Sequence, residues 1–263
     1  MTHVEFQRSA ISPSECIGNA WTLVTNKIWL YIGISLLSLI IVSCIPLVSL
    51  FLMGPIFGGF YYVVLRDMRG EPVEFGMMFK GFEKFVPLMV VGLIQAIPGV
   101  IMQVVRFTVD ISQLGIGDSA RTPGIGDSFP TMPPNISAIL AGLSTVLIIV
   151  ILVFAVFAAV WGLLLHFAIP IALEHDVSPI DALKLSISAV TANLGGLILL
   201  FILEFFVGLL GMLALCLGYF VAIPVIYAAN VFAYRQVFPL IENNFNFTPP
   251  PPSAYGSNFG SGM

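Results

Sequence analysis

Residues 136–170 read ISAILAGLSTVLIIVILVFAVFAAVWGLLLHFAIP, and this stretch decides the class of the protein. Its one ionisable side chain is His166. A helix needs about 20 apolar residues to cross a bilayer, and a surface as apolar as this one could not be covered in water. Similar runs fill most of the chain between Ile28 and Phe238. The sequence therefore predicts an all-α membrane protein with several transmembrane helices.

The composition agrees with a bilayer environment. Hydrophobic residues make up 58% of the chain and charged residues 9%, and the mean hydropathy is +1.02. The net charge of -4 is spread over the loops, so we expect no nucleic-acid partner. Cys16, Cys44 and Cys216 lie far apart without metal-ligand spacing, and we expect neither a disulfide framework nor a metal site. The polar N-terminal segment lacks a basic region followed by a short apolar one, which predicts no cleaved signal.

Six transmembrane spans can be counted within one integral membrane domain, residues 1–242. Pro46 divides a run of 38 residues that is about twice the length of one span. The segment 110–135, rich in glycine, proline and aspartate, is predicted to be a loop. Residues 243–263, which include four consecutive prolines, are predicted to be a flexible tail. The predicted spans are residues 28–45, 47–65, 86–108, 136–169, 194–212 and 218–238, and the fourth is long enough to tilt or to project beyond the bilayer.

The lysine and arginine residues indicate the orientation. With six spans, both termini lie on the same side of the membrane. Eight basic residues fall on that side: Arg8, Lys27, Arg66, Arg69, Lys80, Lys84, Lys184 and Arg235. Arg106 and Arg121 fall on the other side. Because basic residues are enriched in cytoplasmic loops, we predict a multi-pass protein of the bacterial inner membrane with both termini in the cytoplasm.

The spans are predicted to form three units, each with a cytoplasmic amphipathic helix followed by a hairpin. Two segments begin in the same way, with a serine at the N-cap, a proline at the first helical position and an acid two residues later. They are Ser12-Pro13-Ser14-Glu15 and Ser178-Pro179-Ile180-Asp181. Between them, residues 71–85 place phenylalanine and methionine at helical spacing. The hairpin exits match as well, since Pro55 precedes Arg66 by eleven residues and Pro224 precedes Arg235 by eleven. The alternative is that membrane hairpins of similar composition resemble one another by chance.

The same segments resemble a known group of proteins over roughly residues 12–240. The chain has Arg69-Gly-Glu-Pro-Val-Glu-Phe before a phenylalanine-rich helix, and residues 171–186 read IALEHDVSPIDALKLS. This pattern is similar to that of uncharacterised bacterial polytopic inner-membrane proteins, which are loosely related to the membrane domain of some glycerophosphodiester phosphodiesterases. The resemblance implies the three-unit helical architecture. The phosphodiesterase domain is absent, so the resemblance implies neither its activity nor catalytic residues.

Three polar side chains are predicted to lie at membrane depth. Glu204 is about ten residues from the cytoplasmic end of its span, roughly 15 Å into the bilayer. Gln95 lies at a similar depth, and His166 is about one turn shallower. Because a lone charge in hydrocarbon is costly, we expect Glu204 to face the interior and to bind Gln95, His166 or a backbone carbonyl. Three roles remain open for Glu204: it forms an interhelical hydrogen bond, it belongs to a proton or substrate site, or it faces lipid. His166 could also be a ligand of a haem or another pigment.

Two function classes fit this pattern better than an enzyme does. We expect a non-enzymatic accessory subunit or organiser within a larger membrane complex, whose partners are the lipid bilayer and other membrane proteins. The alternative is a carrier for lipid or a small hydrophobic solute that uses Glu204 at the midplane. Glu174, His175 and Asp176 are too few to predict a catalytic site, and the sequence predicts no cofactor.

Overall fold

The computed structural model describes residues 4–44, 46–117, 134–214 and 217–239, and these residues contain helices and no strand. This confirms the all-α class. Side chains are described for residues 4–41, 50–107, 149–214 and 218–239. The helices are α1 (Pro13–Asn26), α2 (Ile28–Cys44), α3 (Pro46–Met68), the 3-10 helix η1 (Phe75–Lys84), α4 (Phe85–Gly117), α5 (Pro134–Leu164), α6 (Ala168–Glu174), α7 (Pro179–Ala192), α8 (Leu194–Leu213) and α9 (Leu217–Val237).

Several of these helices are long and apolar enough to cross a membrane. In the part of the chain that the structure describes, four stretches qualify: Phe75–Phe107, Ile149–Glu174, Leu194–Leu213 and Gly218–Val237. The described side chains of α2, Ile28–Ile41, qualify only together with α1, and the two helices meet at a bend of 101°. The described residues therefore contain four candidate spans, or five if this bent pair is one span.

Two helix boundaries differ from the predicted ones. Within the predicted fourth span, residues 136–169, α5 ends at Leu164 and α6 begins at Ala168, although Ile149–Glu174 as a whole is long and apolar enough to cross a membrane. Helix α4 continues nine residues beyond the predicted end of the third span, into the predicted loop. Residues 100–114 contain neither glycine nor proline, so nothing in this segment interrupts the helix. The rest of that loop and the predicted tail from residue 243 onward lie outside the described residues, apart from the start of α5.

The helices that were predicted to lie on the membrane surface start in different ways. The Ser178 hydroxyl accepts a hydrogen bond from the Asp181 backbone N–H at 3.2 Å, so Ser178 caps α7 as predicted. Ser12 also occupies the N-cap position, but its side chain makes no cap bond. Instead, the Ser12 backbone N–H donates to the side-chain oxygen of Gln236 on α9, at 2.8 Å. The start of α1 is therefore fixed by a distant helix.

Glycine allows the helices of the first half of the chain to pack backbone against backbone. A Cβ atom on Gly54 of α3 would lie 1.9 Å from the carbonyl oxygen of Leu88 on α4. A Cβ atom on Gly59 would lie 1.8 Å from the carbonyl oxygen of Met78 on η1. Any larger residue at either position would force these helices apart. The close contacts hold η1 and the first turns of α4 against α3.

The segment before α1 joins two distant parts of the chain. The Gln7 backbone N–H donates to the carbonyl oxygen of Val237, at 2.8 Å, at the end of α9. The Asn193 side chain, between α7 and α8, donates to the Gln7 carbonyl and accepts from the Ala10 backbone N–H, each at 2.9 Å. Helix α1 then packs along α9, with Ala20 completely buried. The N-terminal segment therefore closes the helical bundle.

Candidate functional site

The candidate site surrounds the break between α5 and α6. Residues 165–167 form a turn between these two helices, where the Leu165 N–H keeps its helical bond to Trp161 and the His166 and Ala168 N–H groups donate to carbonyls three residues back. Within the described residues, this turn leaves the Leu164 carbonyl and the Phe167 N–H without a backbone partner. In a bilayer, an exposed and unpaired backbone group would be costly, and non-helical backbone is tolerated only where protein or a water-filled cavity surrounds it. The broken segment therefore needs polar side chains from neighbouring helices.

Two side chains from other helices pair the backbone groups of the break. The Gln95 side chain on α4 donates to the Leu165 carbonyl oxygen at 2.5 Å. The Ser186 hydroxyl on α7 donates to the Leu164 carbonyl at 2.9 Å and accepts from the Phe167 N–H at 3.2 Å. Ser186 is completely buried. These bonds stabilise the break and assign Gln95 a structural role there.

His166 lies within the break and bonds to α9. Its Nε2 atom is 2.7 Å from Oδ1 of Asn230, whose Nδ2 donates to the Ile226 carbonyl at 3.0 Å. Because the Asn230 amide nitrogen is used in that second bond, Oδ1 is the acceptor and His166 carries its proton on Nε2. The imidazole also meets the rings of Phe167 and Phe201 edge-on. A haem ligated through Nε2 would have to replace the bond to Asn230.

Glu204 on α8 faces the interior, with 6% of its surface exposed. Its carboxyl group interacts with Asn230, while its Oε1 atom is buried and makes no hydrogen bond within the described residues. Cys16 of α1 and Tyr61 of α3 are close enough to Glu204 to interact with it electrostatically. Glu204 therefore lies where α1, α3, α8 and α9 approach one another.

The predicted direct partners of Glu204 are bound elsewhere. Gln95 binds the backbone of the break, and His166 binds Asn230, which connects the histidine to Glu204. Sequence reasoning missed Asn230, although it is an amide within the apolar run of α9, which was a usable signal. It also missed Ser186, which reads as one more serine of a surface helix.

Glu204 can hold a proton, and the cluster of Glu204, Asn230 and His166 can hydrogen-bond a polar group. A carboxyl group, an amide and an imidazole supply both donors and acceptors for such bonds. No group of three or more His, Cys, Asp or Glu side chains suited to a metal ion occurs in the described parts of the chain. The arrangement is thus a hydrogen-bonding site in an apolar interior.

A second polar cluster lies around Glu174, at the end of α6. Its carboxylate accepts from Arg235 at 2.5 Å and from the Tyr234 hydroxyl at 2.9 Å, and Arg69 approaches within 4.0 Å. The neighbouring His175 is partly buried, and this burial lowers the pKa of its imidazole. These contacts join α3, α6 and α9 and use Glu174 structurally.

The rest of the Glu-His-Asp run is also engaged in an ion pair. The Lys84 ammonium at the end of η1 lies 2.7 Å from the Asp176 carboxylate and lowers the pKa of that carboxyl group. Asp176 is almost fully exposed, with 94% of its side-chain surface accessible, so this pair adds little stability.

Comparison with known proteins places part of the chain near uncharacterised mycobacterial proteins. Two uncharacterised proteins of Mycobacterium tuberculosis strains and one of Mycobacterium bovis are each 33% identical to it over 78 residues. The match covers 30% of this chain and 24% of each relative, so the chain spans about a quarter of the length of these proteins. No family model matches the chain, and no solved structure matches it. The similarity to uncharacterised bacterial proteins is thus supported, and the one to phosphodiesterase membrane domains stays a prediction.

Proposed function

We propose that the chain crosses the bacterial inner membrane six times, with both termini in the cytoplasm. The contacts between consecutive helices support three hairpins, α2 with α3, α4 with α5, and α8 with α9. Predicted cytoplasmic basic residues are also brought together: Arg69 and Arg235 both approach Glu174, and Arg66 and Arg69 both pair with Glu71 at 2.6 Å. Cysteine substitutions at Ser119 and Ser257 should be labelled from outside and inside the cell, respectively. Labelling of both from the same side would contradict this topology.

The proposal includes three units of cytoplasmic surface helix plus hairpin. Helix η1 packs on α3, the last helix of the first unit, and α7 packs on α6, the last helix of the second. Helix α1 packs on α9, the last helix of the third unit. Each surface helix therefore contacts the end of the preceding unit in cyclic order. This regularity also supports the architecture implied by the resemblance to membrane domains attached to phosphodiesterases.

Within that architecture, the chain is proposed to be a non-enzymatic accessory subunit or organiser in a larger membrane complex. The observation that carries this proposal is the exposure of α5. Every residue from 149 to 153 is exposed, and since successive residues are about 100° apart around a helix, these five positions cover all of its faces. Membrane helices associate through close van der Waals packing, which this part of α5 lacks against the side chains that the structure describes. A helix of a partner protein would supply that packing.

A photocrosslinking experiment in native membranes tests this assignment. A photoactivatable phenylalanine analogue at Val153 should form an adduct with another membrane protein. The same analogue at Leu210, an exposed residue of α8, is the matched control and should label lipid. An adduct of Val153 with lipid alone, or with a second copy of this chain alone, would contradict the accessory role.

The carrier remains a second candidate because of Glu204. A buried carboxylate oxygen without a hydrogen bond is costly, and a broken helix beside it is typical of substrate sites in transporters. In proteoliposomes, a carrier for lipid should move head-group-labelled fluorescent phospholipid between leaflets. Glu204→Gln should abolish this movement without lowering the free energy of unfolding. Equal movement with the parent protein, the variant and empty liposomes would exclude the lipid-carrier function.

A further inference from the structure

A cavity of about 310 Å³ lies between α2, α3 and α9, apart from the break between α5 and α6. Its walls include the aromatic rings of Phe57, Phe60 and Tyr227. The centroid of the Tyr227 ring lies 5.3 Å from that of each phenylalanine ring. Ser35 and Ser38 of α2 also line it. The volume is at the lower end of the about 300–1,000 Å³ that is usual for small-molecule sites. The cavity is therefore large enough for one hydrocarbon chain with a small polar end.

The two serines give this cavity a specific polar character. Only 7% of the Ser35 surface is exposed, and its Oγ atom is buried without a hydrogen-bond partner in the described structure. The Ser38 hydroxyl donates to the Ile34 carbonyl at 2.8 Å, so its oxygen keeps only the capacity to accept. The Ser35 Oγ atom has almost no accessible surface in this conformation, so rotation about the Cα–Cβ bond is needed to present its donor to a ligand in the cavity. Ser38, one helical turn further along the same face, offers an acceptor.

We propose that this cavity binds an uncharged lipid with a free hydroxyl group, such as a long-chain alcohol. A hydroxyl can accept from Ser35 and donate to Ser38 at the same time, which a carbonyl or an ether cannot do. None of the described residues that line the cavity is charged. A carboxylate or phosphate group would therefore be buried without a counter-charge, which is strongly unfavourable in hydrocarbon.

The mouth of the cavity allows such a ligand to enter from the bilayer. Leu39 on α2 and Tyr219 on α9 line the cavity and are 49% and 47% exposed. In the proposed topology, these two side chains face the hydrocarbon region. The site requires neither the Glu204 cluster nor the α5 surface, so it is independent of both functions proposed above.

Photolabelling with three matched probes tests the site. The full-length protein in nanodiscs is exposed to a diazirine-bearing hexadecanol, to the corresponding fatty acid, and to its methyl ester. The alcohol should label peptides of α2, α3 and α9 at the cavity, at least about threefold more than either other probe. Equal labelling by alcohol and ester, or labelling spread evenly over exposed α8, would overturn the proposal.

Two variants separate specific binding from simple partitioning into lipid. Ser35→Ala removes the free donor and should lower labelling by the alcohol about three- to tenfold, while leaving labelling by the ester unchanged. Ile223→Phe, in the cavity wall, should lower labelling by the alcohol by filling the space. Ser188→Ala, an exposed position on α7, is the control and should change nothing. If Ser35→Ala labels like the parent protein, the hydroxyl site is wrong.

Discussion

Replacement of Ser186 by alanine should destabilise the protein through the break between α5 and α6. The Ser186 hydroxyl makes two hydrogen bonds there, to the Leu164 carbonyl at 2.9 Å and from the Phe167 N–H at 3.2 Å. Alanine has a higher helix propensity than serine, so the helix α7 itself is not weakened, and the substitution removes a single oxygen atom. The expected loss therefore measures how much the break depends on its side-chain partners.

The magnitude follows from the two backbone groups that the substitution leaves buried. A buried donor or acceptor without a partner costs about 1–3 kcal/mol, whereas hydrogen bonds measured between membrane helices average about 0.6 kcal/mol. Because Ser186 is completely buried, local rearrangement has little room to restore both bonds. We therefore expect Ser186→Ala to lower the free energy of unfolding by about 2 kcal/mol.

Reversible unfolding of the purified protein by sodium dodecyl sulfate, followed by circular dichroism, would measure this loss. Ser188→Ala is a matched control, because it makes the same substitution on the same helix at an exposed position. The control should change the free energy of unfolding by less than about 0.5 kcal/mol. If the two variants are equally stable, the bonds of Ser186 do not stabilise the break.

Three further changes test other contacts. Gln95→Leu should lower the free energy of unfolding by about 1 kcal/mol in the same assay, while Gln103→Leu, at an exposed position of the same helix, should have no effect. Arg235→Gln should cost about 2–4 kcal/mol, because it leaves the largely buried Glu174 carboxylate with only the Tyr234 hydroxyl and the more distant Arg69 as partners. Lys184→Gln, whose side chain is 73% exposed, should cost much less, and equal losses would contradict this reasoning. Burial raises the pKa of the Cys16 thiol to about 12, so maleimide labelling of Cys16 in the folded protein should stay negligible from about pH 7 to pH 9. An ordinary thiol titrates near about 8.5 and would label increasingly over that range.

The helical class and most helix boundaries could be predicted because hydropathy and capping are local properties. Pro13 and Pro179 mark the starts of two helices correctly, and Pro46 marks the start of α3. The break after Leu164 could not be predicted in the same way. Neither glycine nor proline occurs at residues 165–167, and the carbonyl of Leu165 is paired by a side chain 70 residues away in sequence. A local pattern carries no information about such a partner.

The candidate site could be predicted only in part for a related reason. A lone carboxyl in an apolar run attracts attention to Glu204, because charge is costly in hydrocarbon. Its neighbour Asn230 lies on another helix, and the sequence offers several other amides and one histidine as equally reasonable partners. The choice among them depends on how α8 and α9 rotate against each other. That rotation is set by packing between many side chains, so the structure was needed to identify Asn230.

In the proposed three-unit architecture, the break between α5 and α6 lies in the second unit and bears on both proposed functions. Helices α3 and α9 each contain an internal proline, yet both remain continuous through the bundle, while the corresponding part of the second unit is divided into α5 and α6. Short α6 is buried among its neighbours, whereas the described part of α5 beyond residue 149 is largely exposed. The same break places His166 against Asn230, beside Glu204. A partner helix packed on α5 would therefore contact the helix that ends at this break, so the accessory subunit and the carrier would both depend on residues 165–167.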